Sequence, residues 1–233
     1  MKVTLSLETT CSKDISIMVD ALRASTTITA ALNNFDEIIP CFSAEEAMSL
    51  KDKLNGVLAG ERNGEKLEGF DIGNSPEVVD RLKSNKKTLI LTTSNGTRIL
   101  ENMNSTVLVG CLLNAKSAGE KSAKIAESHI DVVMAGVRGQ FALEDFLASG
   151  EILYWICKNS DEYELNDLAK AAIMASRDYE SVIEGFHNCR TGRHLSKLGY
   201  EKDIDYCCQK NISDKKLDEI CKICGLSHFI STL

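Results

Sequence analysis

The chain has 233 residues, enough for one large domain or two small ones at roughly 150 residues each. Its 27 Lys plus Arg are scattered against 34 Asp plus Glu, a net charge of −7 that disfavours a nucleic-acid surface or a polybasic membrane anchor. With 43% hydrophobic and 26% charged residues and no apolar run near the ~18 residues of a membrane span, the composition is that of a soluble globular protein.

In chain order, Met1 to Thr10 alternates apolar and polar residues and carries Glu8, without the basic start and unbroken apolar stretch of an export signal. The apolar run Ile15 to Val19 then reaches Asp20, and Ala21 to Leu32 reads as a helix. Glu37 to Ile39 leads to Ser43, which can cap a helix, with Glu46 placed to close a capping box. Val57 to Ala59 enters a Gly-rich loop ending at Ser75 and Pro76, a cap followed by the residue favoured at the first helical position. Thr88 to Leu91, Thr106 to Val109 and Asp131 to Met134 are further short apolar runs, each followed by a polar turn. This alternation predicts a three-layer α/β/α fold with a largely parallel central sheet. The second half reads as helical, with helices over Ala142 to Cys157, Glu162 to Glu184 and Asp214 to Gly225, and a polar, His-containing segment between the last two. Only Pro40 and Pro76 occur, no linker is visible, and residues 1–233 are read as a single domain. Nine cysteines, an odd number spread over the chain, suit free thiols in a reducing, cytoplasmic setting better than a disulfide framework.

In an open parallel sheet, ligands bind beyond the carboxyl ends of the strands, where loops diverge and helix N-termini point free N–H groups inward. Those ends are polar here. Asp20, Arg23, Ser25 and Thr26 follow one run, offering a carboxylate, a guanidinium and two hydroxyls; a helix-terminal charge with a surface ion pair is the plainer alternative. The loop from Gly60 to Pro76 is long and glycine-dense, and its Glu61 and Asp71 are hard oxygen donors of the kind Mg²⁺ prefers. The stretch TTSNGTR, holding Thr93, Asn95, Gly96, Thr97 and Arg98, has the hydroxyls and glycine of an anion cradle, although the same residues also make ordinary turns. Arg138 stands between Gly136 and Gly139, as where backbone approaches a ligand closely, and Glu144 with Asp145 lies one turn into the next helix. The histidines lack metal-ligand spacing, the lone pair Cys221 and Cys224 falls within a helical pattern, and the Asp203 and Asp205 pair lies away from any strand end.

Four ordered blocks, VDALRASTTITAAL from Val19, AGERNGEKLEGFDIGNSPEVV from Ala59, LTTSNGTRIL from Leu91 and AGVRGQFALEDFLASGEIL from Ala135, resemble the 2-phosphosulfolactate phosphatase family of coenzyme M biosynthesis. RTGRHLSKLGYEKDIDYC from Arg190 extends the resemblance over nearly all the chain, while the last residues match nothing in the family. The resemblance implies hydrolysis of 2-phospho-3-sulfolactate to 3-sulfolactate and phosphate with Mg²⁺. It also implies a shared polar site, within which our own assignment makes Asp20, Glu61, Asp71 and Glu144 catalytic and metal-binding. The substrate, a small phosphorylated anion, then falls to Arg23, Ser25, Thr26, Thr93, Asn95, Gly96, Thr97, Arg98 and Arg138. A non-catalytic phospho-anion module and another phosphoryl-transfer enzyme on the same scaffold are the alternatives. The sequence leaves a homo-oligomer open, along with the choice between a covalent and a metal-activated-water mechanism.

Overall fold

The structure is a computed structural model that describes residues 1–95, 99–100, 103–158, 162–213, 220–222 and 229–231. The chain opens with β1 (Lys2–Leu7), β2 (Ile15–Val19), α1 (Ala24–Ala31), β3 (Glu37–Cys41), α2 (Ala44–Leu54), β4 (Val57–Arg62), β5 (Glu65–Lys66) and α3 (Pro76–Arg81). It continues through β6 (Thr88–Thr92), β7 (Thr106–Val109), a 3-10 turn at Leu112–Asn114, α4 (Ala115–Ile125), β8 (His129–Met134) and α5 (Leu143–Cys157). β9 (Glu164–Leu165), α6 (Asp167–Ala175), α7 (Tyr179–Asn188), α8 (Arg190–Lys197), α9 (Glu201–Cys207), β10 (Ile220–Lys222) and β11 (Phe229–Ser231) complete it.

The α/β class expected from the alternating pattern holds, with the strands divided between two sheets. The larger runs β10-β11-β7-β2-β8-β1-β9, parallel except where β10 meets β11. The smaller runs β3-β6-β4-β5, parallel except for the β4–β5 hairpin. Between the sheets lies α1, all eight of whose residues are buried. Its Ile28, Ala30 and Ala31 pack with Met18, Val109 and Val133 of the large sheet and with Ile38, Val57, Leu89 and Leu91 of the small one. A helix enclosed on all sides needs small residues and internally satisfied hydroxyls. Thr26 donates to the Ala21 carbonyl at 2.9 Å and Thr29 to the Ser25 carbonyl at 2.9 Å. The far face of the large sheet buries Val3, Leu5, Ile17, Ile130 and Val132 against Ala148 and Ile152 of α5, Ala172 of α6 and Phe186 of α7.

Several boundaries differ from the sequence reading for local reasons. Residues 20–23 form a turn before α1, so the first helix starts three residues later than expected, and the Leu22–Arg23 peptide bond is cis. Ser43 caps α2 by accepting from the Glu46 N–H at 3.0 Å, while the Glu46 carboxylate reaches past the cap to the Phe42 N–H at 2.9 Å. The expected helix Glu162 to Glu184 is instead β9, α6 and α7, because Asn166 and Asp178 each cap a new helix, accepting from Ala169 and Ser181. The His-containing segment carries α8 and α9 rather than a loop. Of the expected helix Asp214 to Gly225, the described part, Ile220–Lys222, is a strand paired with Phe229–Ser231; Cys221 belongs to that strand and Cys224 lies outside the described residues. Among the described residues no helix is long and apolar enough to cross a membrane.

Candidate active site

The carboxyl ends of β2, β8 and β4 face a common cavity of about 410 Å³ between the two sheets. Asp20 follows β2 directly and is only 7% exposed; its carboxylate accepts from the Ala24 N–H at 3.3 Å. Glu61, on β4, is also buried. Its carboxylate accepts from the Ser94 N–H at 2.7 Å and the Gly64 N–H at 2.8 Å, tying the β4–β5 turn to the loop after β6. Glu144 and Asp145, both buried, stand in the first turn of α5. The Asp145 carboxylate accepts from Ala21 at 2.8 Å and from Gly136 at 2.9 Å, stitching the ends of β2 and β8 together.

Four buried carboxylates therefore share one floor, and charge of one sign in a low-dielectric site is costly unless something neutralises it. Burial, reinforced by the charges of Glu61 and Glu144, pushes the Asp20 carboxyl up to about 7. Burial and the charges of Glu144 and Asp20 likewise raise Asp145 well above the usual carboxylate range. Burial, with Glu144 beside it, also raises the Cys189 thiol, which stays protonated. Arg23 offsets this charge only in part. Its guanidinium is buried against Asp203 of α9 at 2.6 Å, donates to the Gly64 carbonyl at 2.7 Å and stacks over Tyr200 at 4.6 Å. Asp203 in turn accepts from Ser75 at 2.6 Å.

The rim of the cavity is basic. Arg138 and Gly139 both have positive φ, at 53° and 77°, in a tight turn closed by mutual hydrogen bonds between Val137 and Gln140. The side chain of Arg138 donates to Asn63 Oδ1 at 3.0 Å. Asn63 and Gly64 are themselves the two-residue turn of the β4–β5 hairpin, at φ 54° and 88°, which suits the Asn-Gly pair. Helix α8 adds Arg190, Thr191, His194 and Leu195 to the cavity wall. Arg190 donates to Gln140 at 2.6 Å, and His194 Nε2 lies 2.8 Å from the Asn63 carbonyl. Asn74, 3% exposed, lines the cavity with a buried Oδ1 that has no hydrogen-bond partner among the described residues.

A family model described as 2-phosphosulpholactate phosphatase matches residues 3–215. The chain belongs to that family. It is 45% identical over 91% of its length to the 2-phosphosulfolactate phosphatase of Methanothermobacter thermautotrophicus, covering 90% of that protein. Proteins named probable 2-phosphosulfolactate phosphatase from Caldanaerobacter subterraneus and Clostridium novyi are 39% and 37% identical, over 82% and 85% of this chain and 81% and 86% of theirs.

Within this family member, the structure gathers some of the sequence-selected residues and separates others. Asp20, Arg23, Glu61, Asn95 and Arg138 line the cavity, and Glu144 adjoins it beneath Asp20. Asp71 does not: it pairs with Lys51 at 2.8 Å and accepts from the Leu58 N–H at 2.8 Å. It is thus a half-exposed residue bracing the end of β4 remote from Glu61. Ser25 and Thr26 point into the fold; Ser25 Oγ accepts from the Asp20 N–H at 2.8 Å and so shapes the turn that presents Asp20. Thr93 is buried and outside the cavity lining. Gly96, Thr97 and Arg98 lie outside the described residues. The glycines beside Arg138 have structural reasons: Gly139 completes the turn, and a Cβ on Gly136 would sit 2.6 Å from the Gln140 carbonyl oxygen. Asn63, Asn74, Arg190 and His194 were not singled out from the sequence. The signals available were the Asn-Gly dipeptide and the i, i+4 spacing of Arg190 and His194, which places both on one helical face.

Proposed function

We propose that the protein is a phosphoric monoester hydrolase that converts 2-phospho-3-sulfolactate to 3-sulfolactate and inorganic phosphate, serving coenzyme M biosynthesis in the cytoplasm. The observation that carries the reading is an acidic floor, Asp20, Glu61 and Glu144, under a rim of Arg138, Arg190 and His194 in a cavity sized for a small anion. An acidic floor alone would repel such a substrate. The donor set consists of hard oxygens without soft partners, which fits Mg²⁺, and a bound cation would offset the burial and the neighbouring charges of Glu61 and Glu144 that raise the Asp20 carboxyl. Asp20, Glu61 and Glu144 would hold the ion, and when bound it supplies Lewis-acid stabilisation of charge on the phosphoryl oxygens.

The chain's own residues do the rest. Arg138 and Arg190 stand where they can bind the anionic body of the substrate, and their existing hydrogen bonds to Asn63 and Gln140 hold them extended over the cavity. The unpaired Asn74 Oδ1 is an acceptor for a hydroxyl in the cavity. Leu22, Val137 and Leu195 wall the site and exclude water from its side. Hydrolysis breaks the ester P–O bond, with water adding to phosphorus and a proton reaching the departing alkoxide.

Phosphate release from 2-phospho-3-sulfolactate, measured with Mg²⁺ and with EDTA, tests the proposal. Turnover with Mg²⁺ that EDTA abolishes is the expected result; binding without phosphate release points to an anion-binding module, and a preference for another phosphomonoester in a substrate panel points to a different substrate.

A further inference from the structure

A second cluster of ligating side chains lies at the opposite end of the large sheet. Cys11, His129 and Asp131 bring a thiol, an imidazole nitrogen and a carboxylate oxygen within 4.8 Å of one another. His129 is the first residue of β8 and Asp131 the third, so the cluster sits at the amino ends of the strands. Asp131 is about 10 Å along the strand from the Met134 end that faces the proposed active site.

The cluster is built from three segments. Parallel pairing sets Thr4 of β1 opposite Asp131 of β8. Val3 and Leu5 face the core on one side of the sheet, so Thr4 and Ser6 project on the other, together with Asp131. The segment between β1 and β2 folds back over this face, and the backbone N–H of Cys11 donates to Asp131 at 2.8 Å. Asp131 is wholly buried, and Thr4, Ser6 and Thr10 also donate to it, at 2.6, 2.9 and 3.0 Å. It is an oriented negative charge directly beneath an exposed thiol.

We propose that Cys11, His129 and Asp131 form a binding site for a divalent transition-metal ion of the zinc type, separate from the phosphatase centre. Cys11 Sγ and His129 Nε2 are 3.8 Å apart, which is the separation that bonds of about 2.3 and 2.1 Å to one tetrahedral ion require, roughly 3.6 Å. The mixed sulfur, nitrogen and oxygen donor set selects a borderline ion over Mg²⁺, which takes oxygen. Thr4 Oγ1 lies 2.8 Å from His129 Nε2 and Ser6 Oγ 2.9 Å from Asp131 Oδ1, and an ion bound at Nε2 and Oδ1 replaces these two neutral hydroxyl contacts. Binding releases the Cys11 thiol proton to solvent and leaves the imidazole proton on Nδ1. The exposed position of Cys11 leaves the fourth coordination place to water.

Co²⁺ titration of the full chain in excess Mg²⁺ tests the site, because oxygen-only coordination gives no thiolate charge-transfer absorption. The expected result is a near-ultraviolet thiolate-to-cobalt band saturating at one equivalent, displaced by Zn²⁺, lost in Cys11→Ser and weakened at least tenfold in affinity in His129→Asn. Cys11→Ser, altering an exposed residue, is expected to keep the wild-type rate of phosphate release. Absence of the band in the wild-type protein, or its persistence in Cys11→Ser, overturns the proposal, and neither result depends on the phosphatase reading.

Discussion

Asp20→Asn separates the cost of the acidic floor from its use. In the metal-free protein, burial and the charges of Glu61 and Glu144 raise the Asp20 carboxyl from 3.8 to about 7. The folded state then keeps a proton that the unfolded chain gives up near pH 4, so stability falls as pH rises between those values. At 1.36 kcal/mol per pH unit, this single group costs the fold on the order of 2 kcal/mol at pH 5 and about 4 kcal/mol at pH 8. Asparagine retains an oxygen for the Ala24 N–H and does not titrate. The stability of the variant relative to wild type is therefore expected to improve by roughly 2 to 3 kcal/mol between pH 5 and pH 8 in EDTA, or about 5 to 10 °C in Tm for a chain of this size. Relief of Asp145, which Asp20 also pushes up, acts in the same direction. Urea unfolding at the two pH values measures it. Added Mg²⁺ is expected to stabilise the wild type far more than the variant, while phosphate release by the variant falls by orders of magnitude. A stability difference that does not change with pH would show that Asp20 is not under the electrostatic load described, and the reasoning for a cation there would go with it.

Arg138→Ala is expected to lower kcat/KM on 2-phospho-3-sulfolactate about 10- to 150-fold, the loss of one charge-assisted contact of roughly 1.5 to 3 kcal/mol, and to affect a phosphoester lacking the sulfonate much less. Equal losses on both substrates would instead assign Arg138 to the transferring phosphoryl group. Asp71→Asn, altering a partly exposed ion pair with Lys51, should leave kcat/KM within about twofold and stability within about 1 kcal/mol; a large kinetic loss would return Asp71 to the site. Asp203→Ala strands Arg23 in the interior and should cost about 3 to 5 kcal/mol in denaturant unfolding. Gly192→Ala would drive a Cβ into the Phe186 carbonyl oxygen, so a lowered Tm is expected together with weaker substrate binding as α8 shifts.

The large sheet was legible because buried parallel strands read as short runs rich in β-branched and other apolar residues: Ile15–Val19 and Thr106–Val109 are such runs, and the structure places both as expected. What composition does not carry is the partner of each strand. Nothing in the run Thr88 to Leu91 distinguishes it from Asp131 to Met134, yet β6 joins the small sheet and β8 the large one. The signal lay in the helix between. An α1 sequence of Ala, Ser, Thr and a single Ile has no polar face, which is what a helix packed between two sheets requires. In the second half, helical propensity ran through Asn166 and Asp178, and it is their side-chain caps that start α6 and α7 as separate helices.

At the site, sequence reasoning found the residues at strand ends and missed those delivered by distant elements, since proximity to a strand end is local and contact between the sheets is not. Arg23 illustrates the limit. From its position beside Asp20 it was a candidate for the substrate, but 180 residues later the chain supplies Asp203, which occupies the guanidinium at 2.6 Å. The cation nearest Asp20 in sequence is thus spent on holding α9 and the Asn63–Gly64 turn in place. In the proposed reading, an anionic substrate then falls to Arg138, which reaches Asn63 of the hairpin that Arg23 secures, and to Arg190 of α8, which reaches Val137 and Gln140 of the turn after β8. In this fold Arg23 is tied at once to α9 and to the hairpin that carries Asn63, at the wall of the same cavity.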